Sequence, residues 1–332
     1  MANLKIAVVG ATGMVGRTFI QVLEEYNIKA DYTLFSSARS AGNKVTLMGK
    51  EYTVQELTET SFDSGFDIAL FSAGGSTSLK YSPIAAAKNC VVIDNSSAFR
   101  MDKDVPLVVP EVNKGDILKH KGIIANPNCS TIQAVVALKP LDDKYTIKRI
   151  VYSTYQAVSG AGMGGYSDLE NGLKGQAPQK FVHPIAGNCL PHIDVFTEDG
   201  YTKEEIKMVE ETRKILHKPN LPVTATCVRV PVFNGHSESI NVEFEKDFDM
   251  EELLEVLKNY PSIVLQQDLA NNEYPMPITA SGTDEVYVGR VRRDHSVKSG
   301  INMWVVADNI RKGAASNAVQ IAAELIKSLQ SM

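Results

Sequence analysis

Short apolar runs alternate with helical patterns over roughly the first 125 residues of the chain. Six such runs are present, at residues 4–10, 31–37, 67–73, 91–94, 107–109 and 122–125. Between the first two, four apolar residues recur at the spacing of one helix face: Val15, Phe19, Val22 and Leu23. Strands that alternate with helices in this way predict a parallel α/β sheet of the Rossmann-like kind.

The pattern changes after about residue 149, where the apolar runs become longer and alternate with polar residues. These runs are residues 149–159, 224–233, 239–245, 285–294 and 302–308. Charged amphipathic segments lie at 204–216 and 250–259, and a helical pattern rich in small residues follows at 313–329. We predict a second, α+β domain with a mixed or largely antiparallel sheet that helices cover on one face.

Composition agrees with two domains of an ordinary globular protein. A length of 332 residues exceeds what one hydrophobic core usually supports, and 44% hydrophobic with 22% charged residues is unlike a disordered or membrane chain. The net charge of -5 and the scattered Lys and Arg argue against nucleic acid as a ligand. Because no segment has the apolar length of a membrane span or of a secretion signal, we expect a cytoplasmic protein without a membrane partner.

Four cysteines, Cys90, Cys129, Cys189 and Cys227, lie far apart without a CxxC pair. This spacing disfavours both a zinc site and a disulfide framework, so we expect no metal and a reducing compartment. Cys90 lies in an apolar stretch and is predicted to be an inert, packed residue. We extend that interpretation to Cys189 and Cys227, which leaves Cys129 as the candidate for chemistry.

A glycine-rich turn follows the first predicted strand and precedes the first predicted helix. Gly10, Gly13 and Gly16 belong to the segment GATGMVG, whose spacing is GxxGxxG. Glycines at such a turn let the backbone approach a pyrophosphate, which the positive end of the helix dipole attracts. A tight strand-to-helix turn can also contain glycine without binding any ligand. The prediction of a dinucleotide site therefore depends on the position of these glycines between the first strand and the first helix.

The end of the second predicted strand indicates which dinucleotide binds. NAD-binding proteins usually offer a carboxylate there to the ribose hydroxyls, whereas this chain reads Ser36-Ser37-Ala38-Arg39-Ser40. A guanidinium can donate two charge-assisted hydrogen bonds to a 2′-phosphate. The segment therefore favours NADP, the alternative being that Arg39 is an ordinary surface residue.

Cys129 follows Asn126-Pro127-Asn128 and precedes an apolar helical pattern. The thiol is therefore predicted to lie at a helix N-terminus, where the dipole favours the thiolate, the reactive form of cysteine. Asn128, Ser130 and nearby backbone N–H groups are natural donors to an oxyanion on an attacked carbonyl. A thiolate beside a nicotinamide suggests aldehyde oxidation through a hemithioacetal and a thioester.

Such chemistry requires a proton acceptor, for which His236 is the candidate. Asn234-Gly235 lies between two strand-like runs and predicts a hairpin turn. A two-residue turn would pair Phe233 with His236 and, by alternation, place Arg229 on the same face, roughly 13 Å away along the ladder. The imidazole and the guanidinium would then share one surface.

Four segments occur together and in order: GATGMVG at 10–16, NPNCST at 126–131, TYQAVSGAG at 154–162, and the stretch from Arg229 to His236. In this combination the chain resembles bacterial aspartate-semialdehyde dehydrogenases over nearly its full length. The resemblance implies an NADP-binding domain at 1–127 plus 310–332. It implies a catalytic and dimerisation domain at 128–309, with a fold like that of the C-terminal domain of glyceraldehyde-3-phosphate dehydrogenase.

The resemblance also implies roles for individual residues. Cys129 would form the acyl-enzyme, His236 would be the acid/base catalyst, and Gln156 would orient the substrate or the intermediate. The residues that would bind substrate or phosphate are Arg100, Asn128, Glu204, Lys207 and Arg229. The residues that would border NADP are Gly10, Thr12, Gly13, Met14, Val15, Gly16, Ser37, Arg39, Ser40, Ser72, Gly74, Ser159, Gly160, Gly162 and Asn309.

The reaction that the resemblance implies is the reversible, NADPH-dependent reduction of L-4-aspartyl phosphate to L-aspartate 4-semialdehyde and phosphate. It feeds lysine, methionine, threonine and diaminopimelate biosynthesis, and the family forms homodimers or homotetramers. Arg100, Arg229 and Lys207 suit the two anionic groups of such a substrate. Two alternatives remain open from the sequence: an N-acetyl-γ-glutamyl-phosphate reductase, and a catalytically silent dinucleotide-binding sensor.

Overall fold

The computed structural model describes residues 4–330, which fold into two compact units. One unit comprises the described residues up to Pro127 together with those from Ala314 onward, and the other comprises Asn128–Gly313. The sequence placed the return to the first domain at residue 310, whereas the units divide between Gly313 and Ala314. The ends of the predicted first domain, residues 1–3 and 331–332, lie outside the described residues.

The first unit begins as an alternation of strands and helices. Its strands are β1 (Lys5–Val9), β2 (Asp31–Ser36), β3 (Lys44–Leu47), β4 (Lys50–Thr53), β5 (Gln55–Glu56), β6 (Ile68–Phe71), β7 (Val91–Asp94) and β8 (Ile123–Ala125). Its helices in this part of the chain are α1 (Met14–Glu25), α2 (Gly75–Ala87) and the short α3 (Pro110–Asn113). Six strands form one sheet in the order β5-β2-β1-β6-β7-β8, and every pair in it is parallel. The prediction of a parallel α/β sheet is confirmed.

Burial on both faces explains why the strands of this sheet are apolar throughout. In β1, Ile6 and Val8 belong to one core cluster, while Ala7 and Val9 belong to another on the opposite face. Successive side chains of a strand point to opposite faces, so both faces must be apolar when helices cover both. The chain leaves β1 for β2 on one side and later enters β6 on the other. The order of strands therefore reverses between β1 and β6.

Residues 107–109 do not form the strand that their apolar sequence predicts. Leu107 makes one isolated parallel bridge with Ala125, and Val109 already precedes α3, in which Pro110 takes the first position. Proline favours the first turn of a helix and restricts the preceding residue to extended backbone. The run is apolar because its side chains are buried. A buried segment outside the sheet therefore has the same run of apolar residues as a buried strand.

The second unit contains the longer strands. Its helices are α4 (Cys129–Tyr145), α5 (Gly162–Gly172), α6 (Lys203–Ile215), α7 (Met250–Lys258) and α8 (Pro277–Ala280). Its strands are β9 (Ile147–Gln156), β10 (Val223–Arg229), β11 (His236–Phe244), β12 (Ile263–Leu265), β13 (Val286–Arg293) and β14 (Gly300–Ala307). They form one sheet in the order β10-β9-β11-β14-β13-β12. The outer pairs β10/β9 and β12/β13 are parallel and the inner pairs are antiparallel, which confirms the predicted mixed sheet.

Helices α6 and α7 pack against this sheet, as their amphipathic patterns predicted, and α4 packs against it as well. All three have side-chain caps: Asn128 caps α4, Thr202 forms a reciprocal capping box with Glu205 at the start of α6, and Asp249 caps α7. After the second unit the chain forms α9 (Ser316–Gln330), which completes the core of the first unit beside α1. None of the helices that the structure describes combines the length and apolar character that crossing a bilayer demands.

Candidate active site

Strand β9 lies between β10 and β11, so the predicted hairpin around Asn234-Gly235 is wrong. The segment that follows β10 pairs instead with the chain after β9, because Val158 N–H donates to Val232 O at 2.8 Å and Ser159 N–H donates to Phe233 O at 3.2 Å. The chain still reverses at Gly235, where φ is +86°. The turn therefore connects two strands that are not neighbours in the sheet, because β9 lies between them. Local sequence contains no sign of this intervening strand.

Three predicted site residues nevertheless share one row across these strands. Arg229 pairs with Gln156, and Ser237 pairs with Tyr155 on the other side of β9, so His236 stands opposite Gln156 when the register continues by one residue. Residues paired across neighbouring strands project to the same face of a sheet. The row brings together a guanidinium, an amide and an imidazole, all buried on the helix-covered face.

Gly160 marks the point where the guanidinium and the imidazole meet. A Cβ at this glycine would lie 2.8 Å from Arg229 Nη1 and 3.2 Å from His236 Nε2. The two side chains are therefore much closer than the 13 Å backbone spacing that the hairpin implied. Ser159, beside Gly160, is fixed by the Asn309 amide, which donates from Nδ2 to Ser159 Oγ at 3.0 Å. The amide oxygen of Asn309 in turn accepts from Gly235 N–H at 3.0 Å.

Cys129 is the first residue of α4 and is half-buried, so its predicted place at a helix N-terminus is confirmed. The Asn128 side chain caps this helix by accepting from Ser130 N–H at 2.8 Å. The unsatisfied N–H groups and the dipole of a helix start favour negative charge at this position. Gly313 permits a close approach here, because a Cβ on it would lie 2.8 Å from Cys129 Cβ.

Two carboxylates on α6 fix the residue that precedes Cys129. Asn128 Nδ2 donates to Glu204 Oε1 at 2.8 Å, and Asn128 N–H donates to Glu211 Oε2 at 2.6 Å. Glu204 Oε1 also accepts from Gln156 Nε2 at 3.0 Å. One buried carboxylate therefore links the start of α4 to the row on the sheet, and it orders the site before any ligand binds.

Burial alone would raise the pKa of Glu204, but the charge of Lys207 and the hydrogen bonds from Asn128, Gln156 and Lys207 outweigh it. Together they lower the pKa to about 2, so this carboxyl is ionised. Lys207 Nζ lies 3.1 Å from Glu204 and 2.8 Å from Asp194. Burial opposes its charge, but these two carboxylates raise the pKa of Lys207. The ammonium is thus a fixed positive charge in the second unit.

His236 is completely buried and accepts a hydrogen bond at Nδ1 from Ala157 N–H at 3.0 Å. A nitrogen that accepts from a backbone amide carries no proton, so the neutral ring bears its hydrogen on Nε2. Burial and the charge of Arg229 lower the pKa of His236 to about 3, against the opposing effect of Glu204. Nε2 has no hydrogen-bond partner among the described residues. It is therefore an N–H donor beside Gly160.

Arg229 Nη1 donates to Ala157 O at 2.7 Å, so one backbone peptide positions both Arg229 and His236. Burial lowers the pKa of Arg229, while Glu204 and the Cys129 thiol act in the opposite direction. The interaction with Cys129 shows that the thiol and the guanidinium belong to one electrostatic site. Arg229 can hold a substrate carboxylate there.

The other cysteines differ from Cys129 in their surroundings. Cys90 and Cys227 are buried, as predicted, and burial raises the pKa of Cys90 to about 12 and that of Cys227 still further. Cys189 is exposed, so its predicted burial is wrong. It lies in the irregular segment between α5 and α6, where no strand or helix periodicity indicated an inward side. Among the four, only Cys129 begins a helix.

The glycine turn of the first unit lies where the order of strands reverses, which is where doubly wound folds bind dinucleotides. Gly10 has φ +86°, and a Cβ on it would lie 2.2 Å from Ser72 O; a Cβ on Gly16 would lie 2.0 Å from Gly10 O. Only glycine fits at these two positions. Gly13 precedes α1, whereas Gly74, with φ +87°, precedes α2. Two helix N-termini thus follow adjacent strands and suit a pyrophosphate.

The remaining predicted cofactor residues of this unit surround that turn. Thr12 Oγ1 and Ser36 Oγ are hydrogen-bonded at 2.8 Å, which joins the glycine turn to the end of β2. Ser37 and Arg39 are exposed in the short turn after β2, with Ser40 half-buried beside them. Met14 and Val15 are half-buried in the first turn of α1. An exposed arginine after β2 is available to a 2′-phosphate.

Three further predicted cofactor residues, Ser159, Gly160 and Gly162, lie in the second unit near the start of α5. Arg100 lies in the first unit and is buried, with Nε donating to Asn126 O at 2.9 Å and Nη2 donating to Asn95 O at 3.0 Å. Backbone carbonyls thus orient its guanidinium. The structure places it in the loop after β7, as the sequence indicated.

Sequence reasoning missed several residues that shape the site. Glu211 lies seven residues after Glu204, a helical spacing that would have placed both on one face of α6. Glu238 lies two residues after His236 and, by strand alternation, on the same buried face. Ala157 and Gly313 act through backbone and close approach, for which a single sequence contains no signal.

Comparisons with known proteins agree with this arrangement. Residues 5–120 match the family model described as semialdehyde dehydrogenase, NAD binding domain, and residues 138–312 match semialdehyde dehydrogenase, dimerisation domain. The aspartate-semialdehyde dehydrogenase of Aquifex aeolicus is 62% identical, with 97% of this chain and 98% of the relative aligned. The enzyme of the same name from Bacillus subtilis is 49% identical, with 98% of each aligned.

Solved structures give the same result. Aspartate semialdehyde dehydrogenase II from Vibrio cholerae superimposes with a TM-score of 0.94 at 49% identity, covering 98% of this chain and 99% of that one. The Candida albicans enzyme, solved with NADP, superimposes with a TM-score of 0.79 at 27% identity, covering 99% and 100%. Because sequence and structure agree over almost the whole length, the chain belongs to the aspartate-semialdehyde dehydrogenase family.

Proposed function

We propose that this chain catalyses the reversible, NADP-dependent conversion of L-4-aspartyl phosphate to L-aspartate 4-semialdehyde and phosphate. The observation that carries the proposal is the hydrogen-bonded link from Asn128 through Glu204 to Gln156. It fixes the neighbour of Cys129 relative to the row that contains Arg229 and His236. A nucleophile, a carboxylate clamp and a proton donor are thereby positioned before substrate arrives, as covalent catalysis requires.

In the reductive direction, Cys129 attacks the acyl carbon of aspartyl phosphate, an S–C bond forms, and the C–O bond to phosphate breaks. A nicotinamide cofactor, when bound, would supply the hydride that reduces the resulting thioester. Cys129 Sγ then leaves as thiolate when the aldehyde forms. The His236 Nε2–H donates a hydrogen bond to the reacting carbonyl oxygen and is the acid/base group of the reaction.

The remaining roles concern substrate binding. Arg229 holds the α-carboxylate of the substrate, and Gln156 orients the substrate or the acyl-enzyme. Asn128 and Lys207, both fixed by Glu204, are the proposed phosphate ligands of the second unit, and Arg100 is the one proposed in the first unit. Guanidinium and ammonium groups that are already oriented by protein oxygens lose little entropy when an anion binds.

NADP is the proposed cofactor. The glycine positions where a Cβ would collide with backbone fit the close approach of a pyrophosphate, and Arg39 is exposed after β2. The Candida albicans relative was solved with this dinucleotide. We also propose a homodimer or homotetramer built through the second unit, since that part of the chain matches a model described as a dimerisation domain.

Steady-state turnover tests the proposal. Purified protein should reduce NADP when aspartate semialdehyde and phosphate are both present, and much less when phosphate is omitted. Cys129→Ala should lower kcat by at least about 10³-fold, because it removes the nucleophile. The matched control is Cys189→Ala, an exposed thiol far along the chain, which should retain full activity. Equal rates for Cys129→Ala and wild type would exclude the covalent mechanism.

The same assay separates the two alternatives. Faster turnover of N-acetyl-glutamate semialdehyde than of aspartate semialdehyde would assign the chain to the glutamyl reaction, and no turnover of either would leave a dinucleotide-binding sensor. The relatives favour the aspartyl substrate, since those from Aquifex aeolicus and Bacillus subtilis are named for it.

A further inference from the structure

A buried carboxyl group that the proposed reaction does not use lies beneath the first turns of α4. Glu238 has no exposed surface, and neither of its oxygens has a hydrogen bond of normal geometry to any described residue. Ser130 Oγ and Gln133 Oε1 are buried and unpaired in the same way. Unpaired buried polar atoms are rare and costly, so several of them in one place require an explanation.

The secondary structure brings these groups together. Glu238 lies two residues after His236 on β11, hence on the same face of the sheet, which α4 covers. Ser130 and Gln133 lie one turn apart on α4, and Gln133 Nε2 donates to His236 O at 3.3 Å. The Ser130 hydroxyl is near enough to the Glu238 carboxyl to lower its pKa, although the two groups fall short of hydrogen-bond geometry. Ser130 is also the residue that follows Cys129.

Counting hydrogens shows which form of Glu238 fits this environment. An ionised Glu238 would present only acceptors, and among the four unpaired atoms, all of them acceptors, only the Ser130 hydroxyl could also donate. A protonated Glu238 adds a second donor. The Ser130 hydroxyl can then donate to one carboxyl oxygen while the acid O–H donates to Ser130 Oγ or to Gln133 Oε1. The proton therefore satisfies groups that a carboxylate would leave unpaired.

The charges around Glu238 agree with this count. No lysine, arginine or histidine within residues 4–330 forms an ion pair with it. The titratable groups that interact with it are Glu204 on α6, Tyr152 on β9 and Cys227 on β10. Burial and the negative charge of Glu204 raise the pKa of Glu238 well above its ordinary value, an effect that the nearby Ser130 hydroxyl only partly opposes. The surroundings thus shift the pKa values of Glu204 and Glu238 in opposite directions.

We propose that Glu238 is a positioning residue for the reaction at Cys129: held as a neutral carboxylic acid, it shares hydrogen bonds with Ser130 and supports the first turn of α4 without adding negative charge beneath the thiolate. A carboxylate at this place would repel the thiolate and disfavour its formation. An apolar residue would leave Ser130 and Gln133 unpaired beside the nucleophile. The inference rests on the proposed function, because it concerns the group that does the chemistry.

Three variants of the full-length protein test this role: Glu238→Gln, Glu238→Leu and, as a control, Glu243→Gln. Glutamine keeps the shape, a donor and the absence of charge, whereas leucine keeps only the size. Glu243 is on the same strand but pairs with Lys148 at the surface, so its replacement should change nothing measured here. Thermal unfolding of each variant establishes that it folds.

Glu238→Leu should lower kcat about 10- to 100-fold through displacement of the nucleophile turn. Glu238→Gln should restore kcat to within about threefold of wild type, since one hydrogen bond is all that differs. The pH midpoint of iodoacetamide labelling of Cys129 should agree between wild type and Glu238→Gln within about 0.3 units. Infrared spectra at pH 7 should contain a protonated-carboxyl band in wild type and in Glu243→Gln that Glu238→Gln lacks.

Two results would overturn the inference. A labelling midpoint that falls by about one unit or more in Glu238→Gln would mean that wild type carries a carboxylate there. A folded Glu238→Leu with unchanged kcat and labelling would mean that Glu238 does not position the nucleophile. Because labelling and infrared spectra need no substrate, they still test the protonation state of Glu238 if the wild-type protein has no activity. If Cys129→Ala abolishes turnover and Glu238→Leu leaves it unchanged, the inference about Glu238 fails while the proposed function stands.

Discussion

The proposed catalytic residues of the second unit and the proposed cofactor segment of the first unit are built in opposite ways. Gln156, Arg229 and His236 are buried and hydrogen-bonded to protein groups before any ligand binds. Arg39, by contrast, is exposed in a short turn after β2. The first region is a buried hydrogen-bonded network, whereas the second presents a charged side chain to solvent.

This difference teaches where binding energy and specificity come from in the molecule. A buried network already has its hydrogen bonds in place, so a change there leaves polar groups unpaired in a region of low dielectric. An exposed cation interacts through water and salt, and its contribution is smaller and easier to lose. Substitutions in the two regions should therefore differ in size, which the following experiments measure from the largest effect to the smallest.

Arg229→Leu should give the largest effect, a fall in kcat/KM of roughly 100- to 1000-fold, because it removes a buried partner of the substrate carboxylate. The loss should lie mainly in KM for aspartate semialdehyde, with KM for NADP changed little. Arg213→Leu is the control, since Arg213 Nε donates to Leu221 O and the guanidinium pairs with Glu210 near the surface. Similar losses in both variants would indicate damage to the fold instead of a lost clamp.

Gly10→Ala tests whether the glycine turn is fixed by sterics. A Cβ there would lie 2.2 Å from Ser72 O, so we expect a loss of unfolding free energy on the order of 2–4 kcal/mol, with weaker NADP binding. Gly42→Ala is a matched control: its φ is also positive, +88°, but no atom lies within 4 Å of the added Cβ. It should cost about 1 kcal/mol. Chemical denaturation compares the two, and equal losses would remove steric contact as the cause.

Arg39→Ala should weaken NADP roughly 10- to 50-fold and leave NAD within about twofold, as expected for one charge-assisted contact to a 2′-phosphate. Lys50→Ala, an exposed cation on β4, is the control for net charge. Fluorescence titration with each dinucleotide gives the ratio. An unchanged ratio in Arg39→Ala would contradict the assignment of this segment.

His236 should make the stability of the protein depend on pH. Its pKa is about 3 in the folded chain and 6.5 ordinarily, so the unfolded chain binds the proton first as the pH falls below 6.5. Wild type should therefore lose stability relative to His236→Asn between pH 6.5 and 4.5, at no more than about 1.4 kcal/mol per pH unit. Parallel stability curves for the two proteins over this range would show that the imidazole is not buried in its neutral form.

Much of the fold followed from the sequence because its signals are local. Alternating runs predicted the parallel sheet, and Asn128 before an apolar helix predicted that Cys129 begins α4. The failures have a common cause in contacts between distant segments. Strand β9 separates Arg229 from His236. The predicted proximity of the two side chains is therefore correct, but the hairpin from which it was inferred is wrong. The buried run at 107–109 resembled a strand because burial, not a ladder, selects apolar residues.

The polar partners of the site were the hardest to predict. Glu211 and Glu238 are charged residues in ordinary amphipathic or alternating segments, and only packing determines that both are buried near Cys129. Ala157 contributes through its peptide group, which any residue possesses. A single sequence can identify the group that reacts, whereas the groups that position it depend on register between strands and helices.

A trapping experiment with aspartate semialdehyde, NADP and no phosphate tests the central claim most directly. Without phosphate the acyl-enzyme should accumulate, so the mixing trace should contain a burst of NADPH close to one per active site, and peptide mass spectrometry should find the aspartyl group on Cys129. A slow trace without a burst, or an aspartyl group on a residue other than Cys129, would contradict the account.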